Sequence, residues 1–134
     1  MSDKKMKAIV ATGYGGHEVL ELASISIPEP KENEVLVKVY ASSATRADQM
    51  MLSGKPYIGR LFTGLRKPKH PIPGTGFAGE VDRVGKNVKS LKSGDRVFGE
   101  TTLGFSTNAE YVAVPEEGVI LPMPENMSFA EGAT

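Results

Sequence analysis

The densest apolar run in the chain is residues 34–43, EVLVKVYASS, with Val35, Val37 and Val39 on one face of an extended segment and Leu36 and Tyr40 on the other. Period-two alternation of β-branched side chains predicts a strand, and apolar positions on both faces predict cover from both sides. Weaker alternation predicts strands at 7–12 (KAIVAT), 18–27, 95–99 (DRVFG), 109–114 (AEYVAV) and 119–121. The first two flank Gly13, Gly15 and Gly16, so they read as a hairpin or an adjacent pair. Helical signals are few. Residues 45–53 (TRADQMMLS) are followed by Gly54 as a stop and Pro56 just beyond. Another turn of helix is expected around Leu61 and Phe62, inside an irregular basic loop over 55–70. Short strands separated by turn signals, with one or two short helices, predict a mainly β barrel or sandwich.

Residues 71–85, PIPGTGFAGEVDRVG, contain Gly74-x-Gly76-x-x-Gly79, the spacing of a dinucleotide-binding loop. That loop works where a strand enters the glycines and a helix leaves them, so that N–H groups at the helix start meet a pyrophosphate. Here Pro71 and Pro73 stand in place of the incoming strand. Only residues 80–84 precede Gly85, too few for the helix of a βαβ unit. Asp95 and Glu100 lie near the offset of a ribose-binding carboxylate, but acidic residues are common and add little. Val81 and Val84 suit a short buried strand. The stretch reads as a turn and then a glycine-rich strand that lets another backbone or a bound molecule come close.

At the other end, Ser128-x-x-Glu131 matches a capping box before Phe129, Ala130 and Ala133. The box announces a helix with only about one turn of chain behind it, too little to be stable alone. The expectation is a domain over 1–126 and, at 127–134, the start of an element belonging to a longer protein.

A chain of 134 residues fits one hydrophobic core, and 40% hydrophobic with 24% charged residues is ordinary for a soluble globular domain. The net charge is zero, so no nucleic-acid partner and no anionic membrane is expected. There is no cysteine, which excludes disulfides and thiolate zinc sites and is compatible with a reducing compartment. The N-terminal residues lack the apolar core and cleavage site of a secretory leader, and no stretch approaches the ~20 apolar residues of a membrane span. The expected location is the cytoplasm.

Candidate chemistry is sparse. His17 and His70 are the two histidines and read as surface residues rather than metal ligands. Thr45-x-x-Asp48 has two readings: a capping box, or a hydroxyl and a carboxylate at the mouth of a cleft after the strongest strand. The basic run from Arg60 to His70 reads as a solvated loop or as a phosphate contact. Tyr57 and Phe62 either line an apolar pocket or pin the loop to the core, with pinning preferred, and Met50 and Met51 are expected to fill core space.

Taken together, MKAIVATGYGGHEVLEL, EVLVKVYASSATRADQMMLSG, PIPGTGFAGEVDRVGKNV, LKSGDRVFG and NAEYVAVPE resemble, in order and over nearly the whole chain, the N-terminal GroES-like domain of the medium-chain dehydrogenase/reductase superfamily. The resemblance implies a GroES-like, partly open β-barrel. It also implies that PENMSFAEGAT leads toward a Rossmann cofactor domain outside these residues. Within the superfamily the chain is similar to the zinc-free branch that includes quinone oxidoreductase. The cysteine that zinc-dependent members carry after the strand ending at Ser43 is absent, and Thr75-Gly76 stands in place of their His-Glu pair. Zinc-free relatives often carry Asp or Glu where this chain has Gly76.

The resemblance further implies that the 44–48 segment, with Thr45 and Asp48, faces the cleft where nicotinamide and substrate meet, and that Tyr57 stands where several relatives have an aromatic. The cofactor implied is NADP or NAD without zinc. The substrate implied is a small carbonyl, enone or quinone, and the full-length protein is expected to be a homodimer. On this view the chain alone is inactive. A rival expectation is a stand-alone GroES-like binding or assembly module, and a third is a degenerate member retained for protein contacts.

Overall fold

A computed structural model of the protein describes residues 4–55, 57–65, 72–101 and 106–134. His70, Pro71 and the basic positions Arg66, Lys67 and Lys69 lie outside the described residues, as do the side chains of Met51 and Phe62. Among the described residues, seven strands follow in the order β1 (Lys5–Ala11), β2 (Leu20–Ser26), β3 (Glu34–Ser42), β4 (Gly76–Val84), β5 (Arg96–Glu100), β6 (Tyr111–Pro115) and β7 (Val119–Pro122). Helices α1 (Arg46–Ser53) and α2 (Arg60–Thr63) lie between β3 and β4, and α3 (Phe129–Gly132) closes the series. Every expected strand is present, and both expected helices form where their signals lie.

β1 and β2 make an antiparallel hairpin, and the other five strands form one antiparallel sheet in the order β6-β3-β4-β5-β7. The hairpin hooks onto the β6 edge. Ala8 bridges to Ala109, Ile9 N–H donates to the Asn108 carbonyl at 2.9 Å, and Glu110 N–H donates to the Lys7 carbonyl at 3.1 Å. The curled sheet and its hooked hairpin are the partly open barrel that the family resemblance implies.

β3 is central because its first half is apolar on both faces. Val35 and Val37 join Phe77, Val81, Val97, Val112, Val114 and Ile120 in the main core, and Leu36 is equally buried on the opposite face. Cover from both sides stops there. Tyr40 is 52% exposed, because the face it occupies meets only the single turn of α3. Its ring stacks on Phe129, with centroids 4.6 Å apart and planes 11° off parallel.

The Ser128–Glu131 capping box forms, at 3.2 and 3.5 Å. Arg96 fixes the start of α3: its guanidinium lies 4.6 Å over the Phe129 ring and donates to the Met127 carbonyl at 2.8 Å. No helix among the described residues is long and apolar enough to cross a membrane.

The glycine stretch is strand, as read from its sequence. β4 begins at Gly76 itself, and a Cβ at Gly79 would collide with the carbonyl oxygen of Lys38 on β3. That close approach sits beside a register shift between Val39 and Ala41. Gly79→Ala would have to push two paired strands apart. It is expected to destabilise the fold by about 2 to 3 kcal/mol, read as a lower urea midpoint with unchanged slope.

The connection before β5 is tied to the β6–β7 turn by one carboxylate. Glu116 Oε2 accepts from the N–H groups of Lys89 and Ser90, both at 2.8 Å, and from the Ser90 hydroxyl at 2.7 Å. The Ser90 N–H, the Ser90 hydroxyl and the Lys89 N–H hold the Glu116 carboxyl below the usual carboxylate range. A carboxylate with a depressed folded-state pKa stabilises the fold above its unfolded pKa. That stabilisation is lost as pH falls through the folded value. Glu116→Gln should therefore melt below wild type at pH 7, and the gap should close through the acid side of the carboxylate range. Thermal melts from pH 7 to pH 2 measure it; a gap that persists at the acid end would contradict the assignment.

Candidate functional site

Beyond β3 the chain turns away at residues 43–45 and enters α1. Thr45 N–H donates to Asp48 Oδ2 at 2.7 Å and the Thr45 hydroxyl donates to the same oxygen at 3.0 Å. Asp48 N–H points back to Thr45 Oγ1 at 3.4 Å. This is a reciprocal cap, with the carboxylate at the positive end of the helix. The cap occupies only one carboxylate oxygen. Asp48 Oδ1 is buried and has no hydrogen-bond partner, while Thr45 is exposed. The pair thus forms the cap that its spacing predicts, and one carboxylate oxygen stays outside it.

Tyr57 is set apart from that pair. Arg60 lies with its guanidinium 4.4 Å from the Tyr14 ring and 4.7 Å from the Tyr57 ring, and its Nε donates to the Gly54 carbonyl at 3.0 Å. Tyr14 donates from its hydroxyl to the Gly64 carbonyl at 2.6 Å, and Gly15 N–H donates to the Leu52 carbonyl at 2.9 Å. The cluster thus gathers at the C-terminal end of α1, about 12 Å of helix from the Thr45 cap at 1.5 Å per residue.

Three expectations are corrected here. Tyr57 does not pin its loop to the core: it is 65% exposed, and Arg60, held by cation–π contact to two rings, does the pinning. Arg60 is accordingly half-buried rather than a freely solvated loop cation. Met50 does not fill core space; it is 48% exposed, because it lies on the open side of α1. His17 is exposed in a 3₁₀ turn (His17–Val19), as expected of a surface histidine.

Gly76 is a packing position. A Cβ there would stand 2.5 Å from Ser43 Oγ and 3.0 Å from the Ala133 carbonyl oxygen. The Ser43 hydroxyl and the Ala133 carbonyl thus crowd the point where a side chain at 76 would begin.

The sequence reading missed a second group of polar residues. The Ser42 hydroxyl donates to Asn108 Oδ1 at 2.8 Å. Thr107 is wholly buried, and its Oγ1 has no partner. With Ile9, Val39, Tyr40, Ala41 and Ala109 these residues line a groove of about 330 Å³. Nothing in the polar run Ser106-Thr107-Asn108 signals this, since its partner Ser42 lies 66 positions from Asn108. A larger cavity of about 450 Å³, mostly apolar, opens between the β1–β2 hairpin and β6–β7, with Met6, Ile25, Val114 and Val119 among its walls.

The sequence profile of the alcohol dehydrogenase GroES-like domain matches residues 31–125. The chain belongs to the alcohol dehydrogenase GroES-like domain family. Among curated relatives of this GroES-like chain, an NADPH-dependent alkenal/one oxidoreductase of Arabidopsis thaliana, chloroplastic by its name, is 40% identical over 138 residues. The match covers 97% of the chain and 34% of that protein. A quinone oxidoreductase of Sus scrofa is 40% identical over 132 residues, covering 97% of the chain and 37% of that protein. In structure, the chain superposes on the quinone oxidoreductase of Coxiella burnetii with a TM-score of 0.86 at 30% identity, over 97% of the chain and 40% of that protein. The chain spans about a third of the length of the curated relatives it matches.

The cap itself is testable. Thr45→Ala should cost about 1 kcal/mol, whereas Thr45→Ser, which keeps the hydroxyl, should stay within a few tenths. Urea unfolding of the two variants beside wild type decides it. Equal losses would assign the effect to the lost methyl packing instead.

Proposed function

We propose that this chain is the substrate-side domain of a zinc-independent, NADP(H)- or NAD(H)-dependent oxidoreductase of the cytoplasm that reduces a small carbonyl, enone or quinone. The observation that carries this reading is the match over 97% of the chain, at 40% identity, to both an NADPH-dependent alkenal/one oxidoreductase and a quinone oxidoreductase. Zinc independence rests on the donor set: no cysteine and two histidines in the whole chain.

The described residues do not fit the phosphates of a dinucleotide. Gly74, Gly76 and Gly79 lead into a strand rather than a helix start, and Gly79 is closed off by the Lys38 carbonyl. The reading therefore assigns the cofactor to a Rossmann unit beyond the helix that begins at Phe129. When bound, the cofactor supplies the hydride; this chain's residues bind and orient the acceptor. Thr45 presents an exposed hydroxyl, and Asp48 Oδ1 is an acceptor without a partner. The exposed ring of Tyr57 offers a flat apolar surface at the other end of α1.

The test is a chimaera in which this chain replaces the matching segment of the Sus scrofa quinone oxidoreductase. NADPH-dependent reduction of a quinone and enone panel is expected in the chimaera, and no NADPH oxidation by the chain alone. A folded chimaera that binds NADPH but reduces none of the panel would overturn the reading in favour of a binding or assembly module.

A further inference from the structure

Asn108 is held unusually firmly for a residue in a loop. Ser106 and Thr107 donate their N–H groups to the Gly74 carbonyl at 3.0 and 3.3 Å, and Asn108 N–H donates to the Pro73 carbonyl at 3.1 Å. The Asn108 carbonyl accepts from Ile9 N–H at 2.9 Å. Gly74 has φ +101°, and Ser106, at φ 129°, is the only non-glycine residue with positive φ among the described residues. Strain of this kind persists where surrounding contacts over-determine the backbone, and it clusters at ligand sites. A side chain at Gly74 would collide with Thr107 Oγ1 and come within 2.7 Å of Asn108 Oδ1. The first glycine of the apparent nucleotide motif is thus the seat on which Thr107 and Asn108 rest.

The side chain is fixed as well. The hydrogen bond from Ser42 occupies Asn108 Oδ1, which leaves both N–H groups of the carboxamide as donors. Among the described residues they have no acceptor. Thr107, in the same groove wall, keeps a buried hydroxyl without a partner. None of the residues lining the groove carries a charge. A cleft of this size, with a few oriented polar groups and no charge, suits a small neutral acceptor of hydrogen bonds.

We infer that Asn108 donates from its carboxamide to the carbonyl oxygen of a neutral ligand in the groove beside the end of β3, with Ser42 as its positioning residue. The inference rests on the oxidoreductase reading and narrows it: neutral ketones and enones are taken and carboxylates are not. It also extends the ligand contacts beyond Thr45 and Asp48 to a segment more than 50 residues away.

The test is NMR titration of the isotopically labelled chain with cyclohex-2-enone, and with cyclohexanecarboxylate as the charged control. The Asn108 side-chain NH₂ pair is expected to shift saturably with the enone and not with the carboxylate. Asn108→Asp should weaken enone binding about tenfold, the value of one good hydrogen bond. Ser42→Ala should weaken it severalfold, and Ser42→Thr, which keeps the hydroxyl, should restore it. If the backbone amides of Thr45 and Asp48 shift while the Asn108 NH₂ pair stays still, the inference fails and the oxidoreductase reading stands. Silence at all three residues would overturn the inference and leave the oxidoreductase reading to stand or fall with the chimaera. Equal shifts with the carboxylate would overturn the claim for neutral ligands. Because the NH₂ pair is read in the wild-type chain, the outcome does not depend on whether either variant folds.

Discussion

The close contact of β3 with β4 sets the geometry of everything around the groove. At Gly79 the strands lie so near that the Lys38 carbonyl occupies the place of a side chain. Just beyond, the register shifts between Val39 and Ala41. Such a bulge bends the strand that carries it and increases its twist. β3 consequently pairs with β6 only from Glu34 to Lys38, whereas its pairing with β4 continues to Ser42. Val39 N–H still donates to the Glu110 carbonyl at 2.8 Å, and ahead of that point the chain leading into β6 takes β1 as its neighbour, through Ala8 and Ile9. The polar groove lies in the fork where these partners separate, so a backbone constraint within the sheet opens it at the surface.

The same fork explains why α1 matters at both ends. Its N-terminus follows directly from the bent end of β3, and the Thr45–Asp48 cap fixes where the helix starts. Its C-terminus is held through Leu52 and Gly54 by the Tyr14 turn and by Arg60. Neither end relies on deep burial, since Thr45, Met50 and Tyr57 are all substantially exposed. Hydrogen bonds and cation–π contacts take the place of a core there. A segment held by a few directional contacts can adjust locally to a ligand more easily than one embedded in packed apolar side chains.

Most of the fold was legible because short apolar stretches, alternating clearly in β6, are bounded by glycine and proline at the turns, whereas β4, with four buried residues in a row, was read from its glycines and valines. The capping boxes at Thr45 and Ser128 were equally legible, since each is a local pattern of four residues. What the pattern could not give was the identity of whatever covers a face. Tyr40 and Met50 are apolar and sit in regular elements, yet little packs over either of them. Arg60 looked like part of a solvated run, because one of its two aromatic partners, Tyr14, lies in a distant glycine turn that only the folded chain brings alongside. The Ser42–Asn108 pair was invisible for the same reason, being a contact between segments 66 residues apart with no compositional mark.

Gly76 bears on whether the chain has kept its chemistry. Resemblance to the zinc-free branch leads one to expect a carboxylate at this position, and its replacement by glycine can be taken for a loss. The packing gives the glycine a structural place of its own. Ser43 Oγ and the Ala133 carbonyl already stand where a side chain at 76 would begin, and Ser43 N–H donates to the Gly76 carbonyl at 3.3 Å. The polar atom near this point is therefore supplied from β3's end of the sheet rather than from β4. A side chain placed at 76 would have to turn the Ser43 hydroxyl aside and ease the Ala133 carbonyl back by a few tenths of an ångström.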